Sequence, residues 1–153
     1  MLKINVVCVG SIKEKYFTEA IKEYEKRLSR FCSLSIIEVQ EEAQEKSIEK
    51  KIIKESDKLL NVVKGCVVLL DREGKMVSSE ELAEHIDKIS SQGISEITFV
   101  IGGSNGVSKE LKNKANYSFS FGKITFPHQL FRVVLLEQIY RACSIGAGLP
   151  YHK

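Results

Sequence analysis

The C-terminal residues of the chain carry side chains that are well suited to chemistry. Tyr151, His152 and Lys153 present a phenol, an imidazole and an ammonium group where chain ends usually carry solvated filler. Histidine is the side chain most often used as a general base, because a neutral imidazole can accept a proton near neutral pH. We therefore expect residues 149–153, here called the C-terminal tail, to be delivered to a functional site.

A second candidate is the glycine-rich segment Gly102-Gly-Ser-Asn-Gly106, which follows a predicted strand and precedes a helix. Glycine lets the backbone take left-handed conformations and approach a ligand closely. The segment has neither the GxGxxG pattern of dinucleotide-binding loops nor the lysine of a P-loop. A ligand-binding loop and a plain tight turn both fit these residues.

A third candidate is the loop that runs from Phe121 to His128. Its apolar part, residues 124–126, lies between a predicted strand and a helix, so it must pack against something. An aromatic or nucleoside-like ligand and a plug for the protein core are the two interpretations. Pro127 is typical of the start of a helix.

The elements that position these residues alternate between strand and helix. Short β-branched runs predict strands, and apolar residues at three- to four-residue spacing predict amphipathic helices. The predicted strands are 2–9, 33–40, 65–71, 96–101 and 117–121, and the predicted helices are 17–31, 46–63, 78–92, a short one after 108, and 126–144. A turn is expected at 71–74, and 144–148 is too rich in small residues to be a good helix. This alternation predicts one α/β domain, residues 1–153, with a mainly parallel sheet and helices on both faces.

The order of the elements also indicates where a ligand would bind. In parallel α/β sheets, ligands bind in the loops that leave the carboxyl ends of the strands. The loops after Leu70, Ile101 and Phe121 are therefore expected to meet and form the site.

The charge of the chain is small but unevenly placed. The formal net charge is +3, and residues 121–153 hold four basic side chains against one acidic one. This distribution fits a polyanionic partner. The same distribution is equally consistent with a scatter of solvated basic side chains.

Several classes of protein are disfavoured by what the sequence lacks. The four cysteines form no CxxC pair, and the three histidines share no metal-ligand spacing, so no metal site is expected. We expect reduced, structural thiols in a cytoplasmic protein. The sequence has no secretory signal pattern and no segment of transmembrane length, so no membrane partner is expected.

The last predicted helix is apolar over a wider arc than a single small domain usually covers, and this favours a homodimer. Glu137 and Arg141 in this helix are spaced i,i+4. Charged residues in so apolar a helix point at partners or at a subunit interface, or these two simply form a surface ion pair, which is the favoured interpretation for Glu137.

Six segments of the chain match motifs of a known family. They are FVIGGSNG (99–106), ITFPHQLFR (124–132), EQIYRA (137–142), PYHK (150–153), VGSIKEKYF (9–17) and LLDREGK (69–75). Through these segments the chain resembles the ribosomal RNA large subunit methyltransferase H family of the SPOUT superfamily. The motifs occur in the family's order, and the resemblance covers the whole chain.

The resemblance implies a SPOUT-type fold with a deep C-terminal trefoil knot, working as a homodimer. It also implies an activity: transfer of a methyl group from S-adenosylmethionine to N3 of a pseudouridine in helix 69 of 23S rRNA, at the position numbered 1915 in the reference rRNA. The small net charge is too weak for tight generic RNA binding. We therefore expect activity on assembled ribosomes and poor activity on naked rRNA.

Carried over by position, the resemblance also implies residue roles. The cofactor would lie against Leu70, Gly102 and the loop after the fifth strand, which comprises Phe121, Gly122, Lys123, Ile124, Thr125 and Phe126. Tyr151, His152, Lys153 and Arg132 would face the RNA. We hypothesise that His152 assists deprotonation of the base; the alternative is that it only packs against or hydrogen-bonds the RNA. Arg132 and Lys153 would stabilise negative charge on the base or contact phosphate.

Two rival classes stay open from the residues alone. One is a non-catalytic module that binds a nucleotide or RNA through the glycine-rich segment. The other is a doubly wound enzyme that uses a different nucleotide, which the missing fingerprints disfavour.

Overall fold

The structure is a computed structural model that describes all residues, 1–153. Strands and helices alternate along the whole chain. In chain order they are β1 (Leu2–Val9), α1 (Lys15–Leu28), β2 (Cys32–Val39), α2 (Ile48–Leu60), β3 (Cys66–Met76), α3 (Ser79–Ser91), β4 (Glu96–Ile101), α4 (Lys109–Lys114), β5 (Tyr117–Ser120) and α5 (His128–Gly146).

The five strands form one sheet in the order β2-β1-β4-β3-β5, and every neighbouring pair is parallel. Ile101 at the end of β4 is in register with Cys8 on one side and Leu70 on the other. The carboxyl ends of these strands therefore meet at one edge of the sheet. The prediction of a mainly parallel α/β sheet is confirmed.

Helices cover both faces of this sheet, which explains why its central strands are almost continuously apolar. A larger core cluster packs α1, α3 and α5 on one face, and a smaller one packs α2 and α4 on the other. Helix α5 contacts both α1 and α3. The prediction of helices on both faces is also confirmed.

The predicted end of the third strand at residue 71 is wrong. Strand β3 continues to Met76, and Leu70 and Lys75 both pair with Phe119 of β5. Residues 71–74 therefore leave the ladder as a four-residue bulge, and the strand then rejoins its neighbour. The excursion matters because it lies at the edge where the loops of the site meet.

The prediction that 144–148 is a poor helix is wrong for its first residues, because α5 continues to Gly146. The amide of Leu149 donates to the Ser144 carbonyl at 2.9 Å, and that of Gly148 donates to the Ile145 carbonyl at 3.0 Å. Gly148 has a φ of 70°. These features form a Schellman motif, which ends the helix and fixes the direction in which the tail leaves it.

The run Ser78-Ser-Glu-Glu81 predicts a capping box at the start of α3, and the structure has it. The Ser78 hydroxyl accepts from the Glu81 amide, and the Glu81 carboxylate accepts from the Ser78 amide, both at 3.0 Å. This cap fixes the start of α3, whose second residue, Glu80, contacts the C-terminal tail as described below.

All four cysteines are free, in agreement with the expectation of reduced thiols. Burial raises the pKa of Cys8 and Cys32 to about 11 and that of Cys143 to about 12. These thiols therefore stay protonated and poorly nucleophilic at neutral pH. Separately, none of the five helices has the length and apolar character needed to cross a membrane.

Candidate functional site

A cavity of about 480 Å³ opens at the carboxyl edge of the sheet. The loops after β3, β4 and β5 form its wall, together with the first turn of α5. These are the three loops that the sequence pattern selected. The volume lies in the range typical of small-molecule and cofactor sites.

Seven of the eight residues assigned to the cofactor line this cavity; they are Leu70, Gly102, Phe121, Gly122, Ile124, Thr125 and Phe126. Lys123 belongs to the same loop, but its side chain does not line the cavity. The geometry of the strand ends therefore brings together residues that are distant in the chain. Leu70 and Phe121, for example, are more than 50 positions apart.

The wall of the cavity combines aromatic rings with exposed backbone. The ring centroid of Phe131 lies 5.6 Å from that of Phe121 and 5.9 Å from that of Phe126. Ile124 at the rim is 74% exposed, so the apolar run of this loop does not simply plug the core. Such a wall suits a ligand with a flat apolar part and polar edges.

One hydrogen bond and one tightly packed glycine define the path of the wall loops. The Arg72 guanidinium, in the β3 bulge, donates to the Thr125 hydroxyl in the loop after β5. At Gly102, an added Cβ would lie only 2.4 Å from Cγ1 of Val107. A side chain there would collide with the loop itself, so glycine allows the tight path of this segment beside the cavity.

His128 also lines the cavity, although the sequence analysis gave it no role in the site. Burial and the nearby Arg132 guanidinium lower the pKa of His128, while the charges of Glu41 and Glu55 act weakly in the opposite direction. His128 therefore presents a neutral imidazole at neutral pH. The only sequence signal for it was its place at the start of a helix after a candidate loop.

The C-terminal tail folds back against the middle of α5. The Tyr151 hydroxyl donates to Oε2 of Glu137 at 2.6 Å, and Arg141 donates to both oxygens of Glu137 at 3.0 and 3.2 Å. The Tyr151 ring packs edge-on against Tyr140 at 4.8 Å, and the Arg141 guanidinium lies 4.8 Å from its centroid. The tail is thus held in a defined place.

The predicted i,i+4 ion pair between Glu137 and Arg141 is present, but it is only partly exposed. Their side chains are 19% and 25% exposed, and the Glu137 carboxylate accepts from both Arg141 and Tyr151. The pair therefore anchors the tail as well as linking two turns of α5.

His152 has partners on both ring nitrogens. Nδ1 lies 3.1 Å from Nη1 of Arg141, and Nε2 contacts Oε1 of Glu80. Arginine can only donate, so Nδ1 is the acceptor and Nε2 carries the hydrogen that faces Glu80. The bond to His152 in turn lowers the pKa of Glu80. A carboxylate on Nε2 and a lone pair on Nδ1 is the arrangement of an oriented base.

Arg132 lies elsewhere than expected. Its side chain is 2% exposed, and its guanidinium donates to the Glu38 carboxylate at 2.5 Å and to the Gly10 carbonyl at 3.1 Å. In this chain the charge of Arg132 is therefore turned into the fold and not toward an RNA. Its place is in the packing of α5 against the ends of β1 and β2.

No residue of the tail lines the cavity of its own chain. His128 and Phe131 in the first turns of α5 line the cavity, whereas Tyr151 folds back to bond Glu137 in the middle of the helix. At 1.5 Å per residue, Glu137 lies about 9 Å along the helix axis beyond Phe131. The tail therefore lies beside the cavity on the same helix, but it does not enter the cavity within a single chain.

The environment of Tyr151 is expected to raise the pKa of its hydroxyl. The hydrogen bond to Glu137 and burial raise the pKa of Tyr151 from its ordinary value of 10 to about 12. The bond to Glu137 therefore stabilises the fold fully below about pH 10, and this contribution is lost as pH rises through about 12. Spectrophotometric titration of tyrosinate should show that Tyr151→Phe removes the highest-titrating tyrosine. Loss of a tyrosine that titrates near its ordinary value would contradict the assignment.

Comparison with known proteins identifies the class of protein to which the chain belongs. The family model described as "Predicted SPOUT methyltransferase" matches residues 2–152. A solved structure described as a probable methylase family protein from Haemophilus influenzae superposes with a TM-score of 0.54 at 10% identity, covering 100% of this chain and 72% of that one. At this identity the superposition supports the fold alone. The fold and the family match together define a SPOUT methyltransferase.

The relatives then define the family more narrowly. The ribosomal RNA large subunit methyltransferase H of Clostridium novyi is 55% identical, over 99% of this chain and 100% of that protein. The proteins of the same name from Caldicellulosiruptor saccharolyticus and Streptococcus uberis are 50% and 48% identical, over 98% and 99% of this chain and nearly all of their own length. The chain belongs to the ribosomal RNA large subunit methyltransferase H family.

Proposed function

We propose that this protein methylates 23S rRNA in the cytoplasm, transferring a methyl group from S-adenosylmethionine to N3 of pseudouridine 1915 in helix 69. The observation that carries the proposal is the full-length identity of about half to relatives named as ribosomal RNA large subunit methyltransferases. The cavity at the carboxyl edge of the sheet supports it, because ligands of α/β proteins bind there.

The cavity residues fit S-adenosylmethionine, the methyl donor. Phe121, Phe126 and Ile124 offer an apolar wall for an adenine ring, while the backbone of Gly102 and of the loop after β5 offers peptide groups for its polar edge. No metal enters the proposal, and no group of three or more His, Cys, Asp or Glu side chains is arranged to hold one. The trefoil knot that the resemblance implies is part of the proposed fold.

We further propose that the protein acts as a homodimer whose sites are composite. No residue of the tail lines the cavity of its own chain, because the tail is bound to Glu137 and Arg141 farther along α5. A two-fold arrangement that packs two α5 helices antiparallel would place each tail beside the other chain's cavity. Exposed or half-exposed apolar side chains next to the cavity, Ile124, Leu130 and Val134, would be covered by this contact.

The chemistry follows from the acidity of the target atom. N3 of pseudouridine carries a proton, which must leave before or during attack of the nitrogen on the methyl carbon. The new N–C bond forms as the C–S bond breaks, and its electron pair returns to sulfur. We assign the proton to Nδ1 of His152, which exchanges its Arg141 contact for the base while Glu80 steadies Nε2. Holding both reactants at near-attack distance supplies most of the acceleration.

The remaining residues of the tail bind and position. Tyr151 is a neutral hydroxyl fixed by Glu137, and it holds the backbone that precedes His152. Lys153 is exposed and carries a charge that suits a phosphate. Arg132 is not among the RNA-contacting residues of the proposal, because its guanidinium is buried against Glu38.

The function is tested by transfer of labelled methyl groups into ribosomes from a strain that lacks the enzyme, followed by mapping of the modified nucleotide. We expect label at the pseudouridine of helix 69, strong transfer to assembled particles, and little to protein-free rRNA. His152→Ala should lower turnover by about 100-fold, the usual scale of a general base, with unchanged cofactor affinity. Lys50→Ala, at an exposed position of α2, is the matched control.

The outcomes separate the alternatives. Equal transfer to protein-free rRNA would contradict recognition of the assembled ribosome. Full turnover by His152→Ala would leave His152 a packing residue. Binding of S-adenosylmethionine and rRNA without any transfer would favour the non-catalytic module.

A further inference from the structure

A buried acidic side chain lies behind the wall of the cavity. Glu55, in the middle of α2, is 1% exposed, although neighbouring charged residues of this helix face solvent. Its Oε2 accepts from the backbone amide of Glu42 at 3.0 Å. Its Oε1 is buried and has no hydrogen-bond partner. No lysine, arginine or histidine nitrogen lies within salt-bridge distance of Glu55, in contrast to Glu41, Glu42 and Glu45 near it.

The unpartnered oxygen faces the glycine-rich segment. A Cβ added at Gly103 would lie 2.3 Å from Oε1 of Glu55, and Gly103 itself lines the cavity. Only the glycine backbone therefore separates this carboxylate from the space that a ligand would fill. The hydroxyl of the next residue, Ser56, accepts from the Ser108 amide at 2.9 Å, so α2 also holds the chain just after this segment.

An unpaired carboxylate in such a place is costly for the protein alone. A buried acid normally has a cationic partner or a full set of donors, because burial removes the water that would solvate its charge. The charge of Glu55 is felt in the wall of the cavity, because it acts to raise the pKa of His128 against the larger effects of burial and Arg132. A positively charged ligand in the cavity would therefore interact favourably with Glu55.

We propose that Glu55 makes this cavity selective for charge: it favours the cationic sulfonium of S-adenosylmethionine over the neutral thioether S-adenosylhomocysteine that remains after transfer. The assignment rests on the proposed function. Methyl transfer removes the positive charge from sulfur, so the attraction to Glu55 is present before the reaction and absent after it. The carboxylate thus strengthens binding of S-adenosylmethionine. S-adenosylhomocysteine gains no such attraction, so it leaves the cavity more readily.

The test is calorimetric titration of wild type and Glu55→Gln with S-adenosylmethionine and with S-adenosylhomocysteine, in the absence of RNA. The amide keeps an acceptor for the Glu42 backbone and removes only the charge. We expect affinity for S-adenosylmethionine to fall about tenfold, since a unit charge a few ångströms behind the wall acts through a medium of intermediate dielectric. Affinity for S-adenosylhomocysteine should change less than about twofold, because a neutral sulfur gains no such Coulomb energy. Glu49→Gln, at an exposed position of the same helix, should change neither.

Each other outcome has a definite meaning. An equal loss for both ligands would overturn charge selection and make Glu55 a support for the loop, and no change for either would overturn it as well. Failure of wild type to bind either ligand would overturn the proposed function itself. Should Glu55→Gln not fold, wild type alone decides: sinefungin, which carries a cationic amine in place of the sulfonium, should bind more tightly than S-adenosylhomocysteine, and equal affinities would overturn the proposal.

Discussion

Truncation after Leu149, which removes the last four residues of the chain, is expected to abolish methyl transfer while leaving S-adenosylmethionine binding unchanged. The tail makes no contribution to the cavity of its own chain, because none of its residues lines it. It carries the proposed base, His152, and the hydroxyl that Glu137 fixes. The measurements are single-turnover transfer to ribosomes and calorimetry with the cofactor. Loss of cofactor affinity on truncation would contradict the separation of roles.

The same truncation tests the composite site when it is mixed with a second inactive protein. Ser104→Trp is suited to this use, since Ser104 is an exposed residue of the cavity wall and a large ring there would fill the cavity. Neither variant alone should transfer methyl groups. After subunit exchange, each mixed dimer would pair one intact cavity with one intact tail, and about a quarter of the wild-type sites should recover.

A mixture in which the truncated chain also carries Ser104→Trp is the control, because no pairing in it restores a site. Absence of recovery after verified exchange would show that each tail serves the cavity of its own chain. It would then require the tail to leave its contacts with Glu137 and Glu80, since these hold it outside the cavity.

The sequence predicted the elements well where short-range patterns decide them. Predicted strands at 2–9 and 96–101 coincide with β1 and β4, and the capping box at Ser78 begins α3 as expected. The cavity was also located correctly in outline, because parallel strands place all their carboxyl ends at one edge. Neither prediction required knowledge of which strands are neighbours.

The sequence does not predict contacts that depend on a distant partner. The partner of Arg132, Glu38, lies 94 positions away, and no local pattern indicates that pairing. No pattern in α2 singles out Glu55 either, and only the path of the segment at Gly103 reveals its burial. Similarly, the place of the tail outside the cavity depends on its contacts with Glu137 and with the distant Glu80.

Replacement of Arg132 by methionine is expected to destabilise the protein by about 3 kcal/mol, the cost of removing one partner from a buried ion pair. Methionine keeps the volume of the side chain, so the loss reflects the guanidinium and its bonds to Glu38 and to the carbonyls of Val9 and Gly10. Glu38→Gln should cost less, about 1 kcal/mol, because the Glu38 side chain is 40% exposed and its amide can still accept from Arg132. Urea denaturation at fixed protein concentration measures both differences.

This prediction separates a structural Arg132 from one that contacts RNA. Lys123→Met, which removes an exposed cation of the neighbouring loop, is the matched control and should leave the free energy of unfolding within about 0.5 kcal/mol of wild type. The loss in Arg132→Met should persist at high salt, since a side chain that is 2% exposed is poorly screened. If Arg132 instead contacted phosphate, Arg132→Met would unfold like wild type and its affinity for ribosomes would fall most at low salt. Because Arg132 lies one turn from His128, its loss should also disturb the wall of the cavity, and cofactor affinity should fall together with stability.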